Sequence, residues 1–528
     1  MENKKTKIIS IGAVVALALT VITATYAYFN AQVGDPAAAD IKVNANTVDT
    51  FTFSNGSAIS FSINQDNFAS GKGNQTGSTY ASATLTANNK TNTATEHYYM
   101  YLNIENNTFT YSINTNTPEI IMTVKNSVGN EVTDISTLNH VIVTGANGTQ
   151  VSGYDITNKS GLITLFDNRE ITTTSSKEEK WNITITFVNY DENQNANAGK
   201  SMSAKVMIQK EVIPQVVSDV CSNGTNLATC ITTLANKSIP SATNIYHHDS
   251  SLSNGAGDNS YRYAGASDVV NNFVCFGSNE STCPTDNLYR IIGVFGNNVK
   301  LIKYDYGTTD ELGTDGDYNQ TYKEWGMDST YKGTYGDGER IGVYYWNNTT
   351  QTNTWSESLL NKTNLNTNFI NNIGEEWANK IATTTWKVGE NTYSNIYSKT
   401  PSVVYQNEIV NPVTTNTTDN ATEYTAKIGL MYVSDYGFAA EPTAWTLTMG
   451  NYNNTTATST NWMYMGLYEW TISRNADYSD NAFSVLGGGY VDCHSVNNNR
   501  AVRPSFSLLS SVTYSKGDGT QNSPIRIN

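Results

Sequence analysis

Apolar residues fall at every second position over much of the chain before residue 213. Phe51 and Phe53, then Ile59, Phe61 and Ile63, then Trp181, Ile183, Ile185 and Phe187 alternate with polar neighbours. That period puts one face of a strand in a core and the other in water. Tyr99, Tyr101 and Ile120–Val124 mark further strands, and clusters of Gly, Asn, Asp and Ser between them read as turns. No segment there keeps a helical period. The pattern predicts an antiparallel β-sandwich or jelly roll over 30–213.

Beyond it the pattern changes twice. Residues 214–260 read as a linker, with Pro214, Pro240, a short helix near Leu227–Ala235 and a loose Ser/Asn/Gly stretch. From 261 to 528 the signal is mixed α+β. Leu288–Phe295 and Val299–Tyr304 predict a hairpin turning on Gly296-Asn297-Asn298. Ser356 is placed to cap a short helix, and Phe369, Ile370, Ile373, Trp377 and Ile381 share one helical face with Gly374 as its weak point. Ile428–Val433, Trp462–Leu467 and Trp470–Ile472 read as strands, and Pro524–Ile527 as a closing edge strand.

One segment stands apart in hydropathy. Ile8–Phe29 carries no charged side chain and follows Lys4, Lys5 and Lys7. It is long enough to cross a bilayer core, and the basic cluster holds its start in the cytoplasm. Two fates fit: a signal peptide cut between Ala27 and Tyr28, or a retained membrane anchor. Either sends the remainder outward, to the cell membrane, the cell surface or the medium.

The chain of 528 residues has a net charge of −15 and a pI near 4.8. Such an acid balance argues against nucleic acid as a partner, because phosphate contacts need Lys and Arg. Of the five cysteines, Cys221 with Cys230 and Cys275 with Cys283 form close pairs without metal-knuckle spacing. Outside the cell they read as disulfides with Cys493 left free; buried thiols are the alternative.

Two resemblances add to this. Ala24–Asn30, Ser82–Asn88, Trp181–Val188 and Lys200–Gln209 resemble the camelysin family, which includes biofilm fibre proteins. The resemblance implies a removed leader and, in some members, assembly by strand exchange. Some members are described as metalloproteases, but His97 and His140 lie too far apart for a helical His-Glu-x-x-His zinc site. In the second half, Leu288–Ile292, Trp355-Ser356 with Leu359–Asn361, Trp470–Arg474 and Ala501–Phe506 resemble bacterial C-type-lectin-like domains. Their branch includes formylglycine-generating enzymes and retroelement variable proteins. That resemblance places Asn475–Arg500 on the ligand-facing surface. The contact candidates within it are Asn475, Asp477, Tyr478, Asp480, Tyr490, His494, Asn497, Asn498 and Asn499, since Tyr and Asn give broad area with adaptable hydrogen bonds. Arg474 and Arg503 read as structural ion pairs.

Catalysis finds little footing. Cys493 and His494 are neighbours, so on a strand they face opposite ways. The calcium-lectin strings are incomplete at Glu441-Pro442-Thr443 and Trp346-Asn347-Asn348. Asp315, Asp317 and Asn319 begin like a calcium loop but lack its Gly and its Glu, and read as a solvated acidic loop. His247-His248-Asp249 reads as a solvated loop too. The expectation is a non-enzymatic surface or secreted adhesion protein. It needs no cofactor or metal, binds an extracellular protein or glycan, and has self-assembly as the alternative.

Overall fold

The computed structural model describes residues 49–63, 73–88, 92–135, 137–326, 330–392, 396–412 and 422–528. The leader Ile8–Phe29 and its Ala27–Tyr28 junction lie outside the described residues. Among the described residues, no helix is long and apolar enough to cross a membrane. The chain is mostly β, with several antiparallel sheets, and divides into two compact units, Met1–Val212 and Ile213–Asn528.

The described residues of the first unit form ten strands: β1 Thr50–Asn55, β2 Ile59–Ser62, β3 Gln75–Thr86, β4 Ala94–Asn107, β5 Ile120–Asn126, β6 His140–Thr144, β7 Gln150–Asp155, β8 Gly161–Thr173, β9 Ser176–Phe187 and β10 Ser201–Gln209. They form a six-stranded sheet, β1-β3-β9-β5-β7-β6, and a four-stranded sheet, β2-β10-β4-β8. Both sheets give side chains to one core. The alternation expected in β9 holds. Ile183, Ile185 and Phe187 are fully buried, each contributing roughly 1.5–3 kcal/mol on leaving water. Trp181 is buried beside them, and its Nε1 donates to Tyr98 Oη at 2.9 Å. Tyr98 in turn donates to Glu179 at 2.8 Å, and Arg169 Nε meets the same carboxylate oxygen at 2.8 Å. On β4 the core set is Tyr98, Met100, Leu102 and Ile104, and two register irregularities against β8 follow Tyr98 and Met100. The buried carboxylate of Glu119 ties loops together at one end, taking bonds from Gln194 Nε2 and Asn197 Nδ2, both at 2.8 Å, and from Ser112 Oγ at 2.8 Å.

The second unit continues with β11 Ile245–His248, β12 Ser260–Tyr263, β13 Phe273–Cys275, β14 Leu288–Phe295, β15 Asn298–Lys303, β16 Tyr318–Thr321, β17 Gly342–Tyr345, β18 Thr384–Lys387, β19 Glu390–Asn391, β20 Glu423–Ala426, β21 Glu469–Asn475, β22 Asn481–Val485, β23 Val491–Ser495, β24 Asn499–Ala501, β25 Ser505–Ser507, β26 Tyr514–Lys516 and β27 Arg526–Ile527. One sheet runs β11-β12-β14-β15-β25, with β13 also on β14. Another runs β16-β17-β24-β21-β22-β23, with β19 also on β21. The β14–β15 hairpin turns on two residues, since Phe295 pairs with Asn298. Gly296 has φ +60°, as the first central residue of a tight hairpin turn requires.

The cysteine pairing holds, and several other expectations are corrected. The stretch 214–260 is built into this unit. Helix Leu227–Lys237 buries Leu227, Cys230, Ile231 and Leu234 in its core, and β11 lies at a sheet edge. Cys221–Cys230 and Cys275–Cys283 are disulfides with Cα–Cα distances of 5.5 and 5.8 Å, and Cys493 is free. His248 is fully buried rather than solvated, its Nδ1 accepting from Ala256 N at 3.0 Å. His247 stacks on Tyr261 at 4.2 Å. Ile428–Val433 and Trp462–Leu467 build no ladder beyond an isolated bridge from Gly429 to Ser505. Both are buried apart from half-buried Tyr432, and a short apolar run of that kind reads like a strand whatever its backbone does. Gly374, at φ +84°, interrupts the helical face between Ile373 and Glu375.

Candidate functional site

Asn475–Arg500 leaves β21, turns through 476–480, runs out and back as the β22–β23 hairpin, and enters β24 through a second turn. The two turns meet: Val496 N donates to Asp480 O at 2.8 Å, and Asn481 pairs with Ser495. Asp477, Tyr478, Asp480 and Asn497 therefore gather at one end of the hairpin, all exposed, with Tyr478 58% exposed. Tyr490 sits at the far end, roughly 13 Å away along the strands, in the turn closed by Gly489 N and Leu486 O.

The other candidates are partly occupied. Asn475 is fully buried, and its Oδ1 accepts from Asp477 N at 2.8 Å, shaping the turn. Asn499 is half-buried and donates to Asn319 Oδ1 at 2.8 Å. Asn498 N donates to Ser495 O at 2.8 Å. His494 is half-buried with Nδ1 3.2 Å from Ser484 Oγ. Burial, and then the charge of Arg500, hold its pKa below the usual imidazole value. Cys493 beside it has its thiol pushed up by burial. A raised thiol and a lowered imidazole are the reverse of a thiolate–imidazolium pair.

Arg500, the last residue of the stretch, was not among the candidates. It is 8% exposed. Its guanidinium lies 5.0 Å from the ring centre of Tyr468, 5.6 Å from Trp470 and 5.7 Å from Trp325. Nη1 donates to Asn499 O at 2.9 Å, and the enclosed Nε has no partner. Burial brings its pKa down to about 10. The sequence marks Arg500 only as an Arg after three Asn; that no carboxylate among the described residues pairs with it is a property of the fold.

A cleft of about 200 Å³ lies elsewhere in the same unit, walled by Phe295, Trp386, Tyr405 and Tyr432. Its cations are paired. Lys300 Nζ is 2.5 Å from Asp435 Oδ2, and Arg262 Nη2 is 2.7 Å from Asp258 Oδ2. Burial pulls Lys300 below its ordinary pKa, and the partnership with Arg262 holds Asp258, against burial, down to about 2. Nearby, the buried Glu408 accepts from Val433 N and Ser434 N, each at 3.1 Å, and bonds to Ser473 Oγ. Burial pushes its carboxyl up to about 7. With Arg262, Lys300 and Lys387 each paired with an acid, this cleft suits a neutral guest better than an anion.

The calcium-like residues diverge. Asp317 is buried, contrary to a solvated loop, and accepts from Asn348 N at 3.0 Å and Leu360 N at 2.8 Å. Asp315 accepts from Asn368 at 2.6 Å, and Asn319 bonds to Tyr345. Among the described residues, no three His, Cys, Asp or Glu side chains converge on a cation position. Compared with known protein families and with curated proteins, the chain matches none.

Proposed function

We propose that this is an exported, non-enzymatic binding protein of a bacterial cell surface or its medium. In this reading the first unit is a camelysin-like β-sandwich. The second is a C-type-lectin-like head that adheres to an extracellular protein or glycan. The carrying observation is the joined pair of turns that exposes Asp477, Tyr478, Asp480 and Asn497 together on a disulfide-bonded unit. A rigid aromatic beside short polar groups is the composition of adaptable contact faces, and disulfides suit an oxidising location. The leader would either anchor the chain in the membrane or be removed.

Beads carrying residues 30–528 would be passed over immobilised fibronectin, collagen and neutral oligosaccharides. The expected result is retention on at least one surface, lost in Tyr478→Ala/Asn497→Ala while thermal stability is unchanged. Equal retention of parent and variant, or none on any surface, refutes the reading. A second reading, a fibre or envelope subunit, is favoured by one feature. β6 is an edge strand, and Ile142 on it is 65% exposed. Such an edge can accept a strand from another copy. Ile142→Lys would then abolish filaments visible by electron microscopy, and monomers alone in the parent remove this alternative.

A further inference from the structure

The buried arginines of the second unit are handled in different ways. Arg503 meets Glu469, with Nε–Oε1 at 2.8 Å. Arg262 meets Asp258. Arg290 has no acid but spends its donors on Asn272 Oδ1 at 2.5 Å, Ser267 Oγ at 2.8 Å and Val270 O at 2.7 Å. Arg500 has five N–H donors and one hydrogen bond, from Nη1 to Asn499 O. The aromatic rings around it attract its charge, but among the described residues none of these rings accepts a hydrogen bond from it.

We propose that Arg500 is the seat for the carboxylate of a ligand, carried on a sugar ring as in a uronic acid. The planar fork of a guanidinium matches two carboxylate oxygens, and both a charge and a hydrogen-bonding deficit are met by the same group. Trp325 and Tyr468 are half-buried, with ring centres 5.7 Å apart. They offer apolar walls to the C–H face of a pyranose. His494, close enough for Arg500 to lower its pKa, offers a partner to a hydroxyl. This inference rests on the binding reading above and gives it a ligand chemistry.

The test uses the purified secreted chain, titrated with glucuronate, glucose and N-acetylglycine. Binding is followed by the guanidinium N–H resonances of nitrogen-labelled arginine and by the melting temperature. Glucuronate is expected to shift the Arg500 resonance and raise the melting temperature, glucose to do neither, and N-acetylglycine to bind more weakly. Arg500→Lys keeps the charge without the fork and should weaken glucuronate about tenfold or more, the scale of a bidentate charge-assisted contact. No shift with glucuronate, an equal response to glucose, or unchanged affinity in Arg500→Lys overturns the carboxylate seat. Equal or tighter binding of N-acetylglycine overturns its assignment to a sugar acid. Should the variant not fold, the glucuronate–glucose comparison on the parent still decides. Tyr478→Ala/Asn497→Ala, titrated in parallel, should bind glucuronate normally, so failure of the exposed turns as a contact face is read separately.

Discussion

Removing one half of the Arg503–Glu469 pair should unfold the second unit more readily than removing both. The two side chains are 1% and 3% exposed. They meet twice, Nε to Oε1 at 2.8 Å and Nη2 to Oε2 at 3.0 Å. Arg503→Met leaves a buried carboxylate, and Glu469→Leu leaves a buried guanidinium. Each single change should cost about 3–5 kcal/mol, the range for breaking a buried pair. At about 2 °C per kcal/mol for a unit of this size, the melting temperature falls by roughly 6–10 °C. The double variant strands no charge. It does lose the bond from Nη2 to Met463 O at 2.6 Å, so it should remain about 1–3 kcal/mol below the parent. Glu469 is already raised above the usual carboxyl pKa by burial, with Arg503 opposing. Without Arg503 it rises further, so the cost of Arg503→Met should shrink as the pH is lowered. Tryptophan fluorescence in urea isolates the unit, because Trp181 is the sole tryptophan before Ile213 among the nine in the chain. Additive single effects, with the double variant as unstable as their sum, would refute coupling between the two groups.

Three other outcomes follow from particular groups. Glu408 has a folded pKa of about 7 against a reference of 4.5. Its contribution is therefore fully present below pH 4.5 and lost as pH rises to about 7, by about 3 kcal/mol. Glu408→Gln should flatten that part of the stability–pH curve, and an unchanged slope counts against it. Reducing both disulfides removes loops closed over sequence separations of 9 and 8. It should lower second-unit stability by about 2.6 kcal/mol per bond on the chain-entropy estimate, and thiol titration of the unreduced chain should find one reactive group, Cys493. Glu119→Leu leaves one N–H of each of the Gln194 and Asn197 amides unpaired, while their bonds to Val188 O and Thr110 O remain. It should cost the first unit roughly 2–6 kcal/mol, from about 1–3 for each unpaired group, and a loss below 1 kcal/mol by chemical denaturation would show that water fills the gap.

Legibility followed how local the determining physics is. Period-two alternation located β9 because neighbouring side chains alone decide which face is buried, and the Gly296 turn located the β14–β15 hairpin although β14 is buried on both faces. The cysteine pairs were legible because a short loop leaves few alternative partners. Ile428–Val433 and Trp462–Leu467 misled for the converse reason: near-complete burial erases the periodicity that separates a strand from irregular backbone. His248 and Asp317 were read as solvated from polar neighbours, yet each is enclosed by residues distant in sequence. Asp317 answers to Asn348 and Leu360, and His248 packs against Phe438 and Trp445. The candidate face was legible as a stretch but not as a surface. The hairpin sends Tyr490 to one end and Tyr478 to the other, and hairpin length is set by pairing rather than composition.

Charge pairing carries the argument about function further than residue type does. Arg500 and Arg503 sit three positions apart, with Ala501 and Val502 between them, in one short segment, and both are buried. Their sequence surroundings do not separate them. Register does. Glu469 pairs with Ala501 in parallel, which brings its carboxylate to Arg503, while Arg500 pairs with Tyr344 and meets rings. A buried cation with an acid beside it is complete and holds the fold together. One with neither an acid nor, as Arg290 has, a set of neutral acceptors keeps an unmet demand through folding, which an anion from outside the chain would meet. Replacing Arg500 by Met should therefore leave the unliganded protein at least as stable as the parent, the opposite of Arg503→Met. A loss of several kcal/mol in Arg500→Met, measured by the same fluorescence titration, would mean that the rings alone complete it and that its burial is structural.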